Sequence, residues 1–216
     1  MIKANNIVKS FQHIDVLKGV NLEVTKGEII SLVGSSGAGK STLLQILGTL
    51  DSSYQGNVII NGFNIAKLNQ KEMADFRNKY IGFIFQFHHL LPEFTAIENT
   101  CIPGLIAKRQ KKEVEEYANE LLSFLGLEKR INHKPNQLSG GEQQRVAIAR
   151  SLINRPSVVF ADEPSGNLDS NNSDELHKLF FSLREKFDQT FFIATHNKEL
   201  AQIADRKLTI KDGILL

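Results

Sequence analysis

The chain has 216 residues, 41% hydrophobic and 23% charged, enough apolar material for one sizeable core or two small lobes around one sheet. A formal net charge of +2 is too small to argue, by field alone, for a nucleic-acid groove or for direct insertion into lipid, and neither is expected. One cysteine, Cys101, excludes an internal disulfide and fits a reducing compartment. No run approaches the roughly 18 apolar residues that cross a bilayer, and Met1-Ile2-Lys3-Ala4-Asn5 turns polar too early for a secretory signal. The expectation is a cytosolic chain held at any membrane by another subunit.

In chain order, residues 2–8, 20–24 and 57–60 read as short strands separated by turn residues, an antiparallel patch. Residues 28–33 form a short apolar run that ends in a glycine-rich loop, and residues 81–85 form another. Such runs, rich in Val, Ile and Phe, read as buried parallel strands. Strand patterns then stop until residue 155. Val114, Ala118, Leu121, Leu122 and Leu125 share one helical face, with Gly126 placed as a cap. The basic run before it, residues 108–112, reads as a solvated helix start. A further helix is expected from about residue 142 to 154, stopped by Pro156. Strand runs resume at 157–162 and 190–195, and residues 207–210 and 214–216 flank the hairpin signal Asp212-Gly213. The alternation predicts an α/β fold around a mostly parallel sheet. The expected division is a catalytic core of residues 1–86 and 156–216, carrying the β patch, and a helical subdomain of residues 87–155 within one 1–216 domain.

Gly34-Ser35-Ser36-Gly37-Ala38-Gly39-Lys40-Ser41-Thr42 fits G-x-x-x-x-G-K-[ST] between a strand and a helix. Its glycines let backbone N–H groups turn toward phosphate oxygens, and the helix N-terminus adds a positive dipole end. Lys40 is placed to reach the β- and γ-phosphates of ATP, and the Ser41 hydroxyl to ligate Mg²⁺.

Residues 157–162 end in two adjacent acids, Asp162 and Glu163. Ligands of open parallel sheets bind beyond the carboxyl ends of the strands, so both acids are expected to face the crevice that holds Lys40. Asp162 is expected to hold Mg²⁺, directly or through water. Glu163 is expected to polarise the attacking water as general base.

Leu138-Ser139-Gly140-Gly141-Glu142 opens the 142–154 helix, with capping-box spacing between Ser139 and Glu142. Two glycines leave the backbone N–H groups bare. Taken alone, this is either a capped helix start or a second anion site.

With Glu142-Gln143-Gln144-Arg145 behind it, the run resembles the signature motif of ABC ATPases. The rest of that family's set stands in order: Gln86 as the Q-loop glutamine, Ser165-Gly166-Asn167-Leu168-Asp169 as the D-loop, His196 as the switch histidine, and Phe11 where the family places an aromatic for adenine. The resemblance covers essentially the whole chain and implies a P-loop NTPase fold of the RecA-like kind. It also implies a homodimer in which two ATPase subunits pack head to tail. Each ATP then lies between one subunit's phosphate loop and the other's Ser139, Gly140 and Gly141. On the same grounds Gln86 senses Mg²⁺ and water, His196 binds the γ-phosphate and helps orient the water, and Phe11 stacks on adenine. The departures are mild: Ser165 for the usual Thr, Asn197 for Asp after the switch histidine, and Phe11 for Tyr.

In this family the stretch after Gln86 forms the socket for a coupling helix of a membrane subunit. Here it reads Phe87-His88-His89-Leu90-Leu91-Pro92-Glu93-Phe94-Thr95-Ala96-Ile97-Glu98-Asn99. An aromatic and aliphatic groove suits helix-in-groove docking, although an ordinary core helix would share that composition. Its wording is similar to ATPases of lipoprotein-releasing complexes, which implies membrane subunits of the LolC/LolE type and a peripheral place on the cytoplasmic face of the inner membrane. The string at residues 161–170 is shared with MacB-like and FtsE-like ATPases, so a different membrane partner stays open as the alternative. A DNA- or ribosome-acting ABC ATPase would need a long coiled coil or a second ATPase domain. Only about a hundred residues separate Lys40 from Ser139, without sustained heptads. A phosphate-loop kinase would not carry the helical insertion with its LSGG run.

Overall fold

The computed structural model of the protein describes the backbone of residues 1–216 and all side chains except those of Ser170, Asn171 and Lys198. The chain opens with a long hairpin, β1 (Ile2–Phe11) and β2 (Ile14–Val24), followed by β3 (Ile29–Val33) and α1 (Lys40–Leu47). Next come β4 (Gln55–Ile60), β5 (Phe63–Asn64), α2 (Gln70–Tyr80) and β6 (Ile81–Phe85). Three helices without an intervening strand follow: α3 (Ala96–Ile106), α4 (Lys111–Phe124) and α5 (Gly140–Leu152). The chain then returns through β7 (Val158–Asp162), α6 (Ser170–Phe187), β8 (Thr190–Ala194), α7 (Lys198–Ile203), β9 (Arg206–Lys211) and β10 (Ile214–Leu215).

Two sheets result. One is antiparallel, in the order β2-β1-β4-β5; the other has the order β10-β9-β3-β8-β7-β6. In the second sheet every pairing from β9 across to β6 is parallel, and only β10 runs against its neighbour. The fold is therefore α/β with a mostly parallel sheet.

The continuous apolar runs of the parallel strands divide by side-chain alternation. On β8, Phe191 and Ile193 enter the core shared with α3 to α6, while Phe192 and Ala194 enter the core shared with α1 and the β patch. On β7, Val159 and Ala161 join the first core, and Val158 and Phe160 the second. Phe160 stands 5.8 Å from Phe192 and Phe180 stands 5.0 Å from Phe191, centroid to centroid. All four rings are fully buried. Each removes enough apolar surface from water to contribute roughly 1.5–3 kcal/mol. The sheet that carries the site is thus clamped from both faces.

The hairpin β1–β2 is longer than its sequence suggests. Register shifts interrupt the pairing between Ala4 and Ile7 and again between Lys9 and Ser10. Asn6 and Gln12 adopt positive φ angles of 51° and 54°. These irregularities break the strict alternation by which a half-buried strand is recognised. The Asp212-Gly213 turn forms as expected, with φ of 50° and 82°. It packs on β2: Lys18 N–H donates to the Gly213 carbonyl at 2.9 Å. The C-terminal hairpin thereby braces the strand that borders the phosphate loop. Among the described residues, no helix is long and apolar enough to cross a membrane.

Candidate active site

The loop from Gly34 to Gly39 joins β3 to α1 and wraps the first turn of that helix. Its glycines are needed for different reasons. A Cβ built on Gly34 would lie 2.4 Å from the Ile210 carbonyl oxygen of β9, so the loop fits only because that atom is missing. Gly39 holds φ at 106° as the α1 N-cap, a conformation that L side chains rarely adopt. Gly34→Ala is expected to destabilise the fold by about 1–3 kcal/mol, because β9 must shift to admit the methyl group. A denaturant midpoint unchanged from wild type would show that the backbone yields at no cost.

Lys40 is nearly buried, and its ammonium donates to the carbonyls of Gly34 at 2.9 Å and Ser35 at 3.1 Å. The loop thus orients its own lysine into its concavity. Ser41 Oγ donates to Asp162 Oδ1 at 3.2 Å, which joins the helix start to the end of β7. Burial raises the Asp162 carboxyl above the ordinary aspartate range; the Ser41 hydrogen bond acts the other way, and neighbouring Glu163 adds to the rise.

Glu163 turns out of the strand with φ of +47°, a left-handed backbone on a non-glycine residue. Its N–H donates to the Ala194 carbonyl of β8 at 2.9 Å, which fixes the turn. Its side chain, 18% exposed, accepts from the His196 N–H at 3.2 Å, and Oε2 lies 2.8 Å from His196 Nδ1. Asn197 caps α7, its side chain accepting from Leu200 N–H at 3.0 Å. Asp and Asn are near-equal N-caps, so this departure from the family's usual residue leaves the helix start intact.

Gln86 Nε2 donates to Asn167 Oδ1 at 3.1 Å, and Asn167 Nδ2 donates to the Gln86 carbonyl at 2.9 Å. This pair ties the stretch after β6 to the loop after β7, a meeting of two amides that no sequence pattern signals. Gly166 lies tight against the same glutamine: a Cβ there would sit 3.0 Å from Gln86 Nε2.

A cleft of about 550 Å³ lies over the loop, lined by Ser36, Gly37, Gly39, Lys40, Ser41, Thr42, Gln86, Glu163 and His196, with Val16 of β2 closing one side. Residues from five parts of the chain therefore meet around one open cleft. Val16 was not singled out in the sequence, where it falls between the strands expected at residues 2–8 and 20–24. Phe11 does not line this cleft; it stands 49% exposed near the tip of the β1–β2 hairpin, with Lys9 Nζ 4.7 Å from its ring centroid.

Ser139, Gly140 and Gly141 do not line the cleft either. Ser139 is the N-cap of α5 in a full capping box: Glu142 N–H donates to Ser139 Oγ at 3.2 Å, and Ser139 N–H donates to Glu142 Oε2 at 2.8 Å. Those hydrogen bonds, with Arg130 at 3.0 Å, hold the Glu142 carboxyl below the ordinary glutamate range. A Cβ on Gly140 would meet nothing within 4 Å. Ser139 and Gly140 are thus exposed at the start of α5, while a Cβ on Gly141 would lie 3.0 Å from Asn172 Oδ1.

A phosphate loop after β3, an acid pair at the end of β7, one strand further across the same parallel sheet, and a histidine bonded to the second acid define a phosphate-loop ATPase. The chain belongs to the ABC transporter family, which matches residues 17–166, and it is an ATP hydrolase. It is 58% identical over all of its length to the lipoprotein-releasing system ATP-binding protein LolD of Cytophaga hutchinsonii, covering 99% of that protein. It is 57% identical to LolD of Bacteroides fragilis, with both chains fully covered. Its fold matches the dimeric post-hydrolysis state of the ATP-binding cassette MJ0796 bound to ADP and Pi, with TM-score 0.90 and 39% identity, over all of this chain and 96% of that one. It also resembles CbiO1 of Clostridium perfringens, part of the CbiONQ transporter complex, with TM-score 0.91, 25% identity and coverage of 100% and 86%.

Proposed function

We propose that two copies of this chain pack head to tail, each closing the other's phosphate cleft with the start of α5, and that the dimer powers the release of lipoproteins from the inner membrane. One observation carries the head-to-tail reading. Lys40 lies in an open cleft, while Ser139 and Gly140 at the helix start are exposed on the same chain. A helix N-terminus holds γ-phosphate charge by backbone donors and dipole without a further lysine. The division into a core of residues 1–86 and 156–216 and a signature lobe of residues 87–155 suits this reading, since the lobe carries the second wall. The dimeric MJ0796 cassette and the LolD relatives support it.

Within each site, Lys40 and the loop N–H groups bind the phosphates. The donor set fits Mg²⁺: a hydroxyl and a carboxylate already 3.2 Å apart, the carboxylate partly desolvated. Ser41, Asp162 and Gln86 would hold that ion, which supplies Lewis-acid neutralisation of phosphate charge when bound. Glu163 takes a proton from the attacking water as general base. His196, bonded to Glu163, holds that carboxylate in place and contacts the γ-phosphate. Phe11 offers an exposed ring for adenine, where base stacking contributes ~1–3 kcal/mol.

Residues 87–99 serve as the socket for membrane subunits of the LolC/LolE type. Phe87, Leu91 and Phe94 are exposed there. Buried Asn99 fastens the loop beneath them, donating to the carbonyls of Leu91, Phe94 and Thr95 and accepting from Leu91 N–H at 2.8 Å. On this reading the chain sits peripherally at the cytoplasmic face of the inner membrane. The double variant Leu91→Asp with Phe94→Asp is expected to bind nucleotide normally and to lose co-purification with the membrane subunits. Retained co-purification would move the socket elsewhere. Lipoprotein release is tested by reconstituting the co-purified complex in vesicles and measuring ATP-dependent transfer of lipoprotein to an acceptor. Recovery of a macrolide-export or cell-division membrane subunit instead would favour the MacB-like or FtsE-like reading.

A further inference from the structure

Asp174 and His177 stand three residues apart on α6 and so share a face of that helix. Glu199 lies in the first turn of α7. One ligand atom from each of the three lies within 4.8 Å of the other two. His177 is only 3% exposed, and its Nε2 is buried with no hydrogen-bond partner among the described residues. A buried imidazole nitrogen left unpaired is costly and points to a missing ligand. Asp174 and Glu199 are exposed and border an open cleft of about 510 Å³ that also reaches His196, which gives an ion a way in. Burial lowers the affinity of His177 for a proton, and the Asp174 and Glu199 carboxylates act the other way.

We propose that Asp174, His177 and Glu199 form a binding site for a first-row divalent transition-metal ion such as Zn²⁺, separate from the nucleotide's Mg²⁺ position. One imidazole and two carboxylates match the ligand preference of Zn²⁺ and balance its charge, whereas Mg²⁺ prefers oxygen alone. A bound ion ties α7 to α6. Because α7 begins just after His196 and α6 just after the 165–169 loop, the tie restrains two segments that border the ATP cleft.

The test is titration of the nucleotide-free full chain with Co²⁺, read by its d–d absorption. One ion per chain is expected, with the intense bands of a four- or five-coordinate nitrogen–oxygen site, displaced by Zn²⁺. Asp174→Asn and Glu199→Gln change exposed side chains and should fold normally. Each is expected to weaken binding by ~10–100-fold. His196→Ala is expected to leave it unchanged. Only the weak bands of six-coordinate Co²⁺, binding as tight as wild type in both carboxylate variants, or loss of binding in His196→Ala would overturn the site.

Discussion

Glu163→Gln is expected to keep ATP binding and to lower turnover by ~10²–10⁴-fold, the usual contribution of a positioned general base. The amide keeps the size of the side chain and one oxygen to face His196, so the positive-φ turn and its hydrogen bond to Ala194 survive. What is lost is the ability to accept a proton from water. ATP is then held without being cleaved, and the dimer accumulates in its closed form. Steady-state hydrolysis, together with size-exclusion of the ATP-loaded variant, checks both halves. A variant that hydrolyses ATP at the wild-type rate would remove Glu163 from the role of base.

Ser139→Arg is expected to abolish hydrolysis while nucleotide still binds to the loop around Lys40. Two effects separate cleanly. Loss of the N-cap costs about 1 kcal/mol of helix stability, which a thermal melt would register as a modest shift. If, as proposed, backbone donors there face γ-phosphate, insertion of a bulky cation costs far more catalytically; removal of one such donor alone is worth ~10²–10³-fold. Gly140→Ala sharpens the comparison. Nothing in the single chain lies within 4 Å of the added methyl, and the backbone there does not have positive φ. Normal folding with lost turnover would assign that glycine to contact with a second molecule.

Much of this was legible in the sequence for identifiable reasons. The parallel strands β3, β6, β7 and β8 read clearly because burial on both faces makes them short continuous apolar runs. The phosphate loop read clearly because its chemistry demands glycine, lysine and hydroxyl at fixed spacing. Helix α2 escaped because only Phe76 of its eleven residues is buried, which leaves no apolar stripe. The start of α5 was placed two residues late, since Gly140 and Gly141 look like loop and not like a helix's first turn. The positive φ of Glu163 and the Gln86–Asn167 pairing had no signal, because both arise where chain segments far apart in sequence are forced together by the sheet. Ser139 was read correctly as a cap; its second role is invisible within one chain because the group it would meet is on another.

The most direct measurement compares hydrolysis in two mixed dimers. One pairs a Lys40→Ala protomer with a Ser139→Arg protomer. The other pairs a chain carrying both changes with an unaltered chain. If each nucleotide is sandwiched between subunits, the first pairing concentrates both lesions in one site and leaves its sister whole, so it cleaves ATP, while the second disables both. Activity confined to the second pairing would mean that each chain completes its own site, and the shared-site account would be wrong.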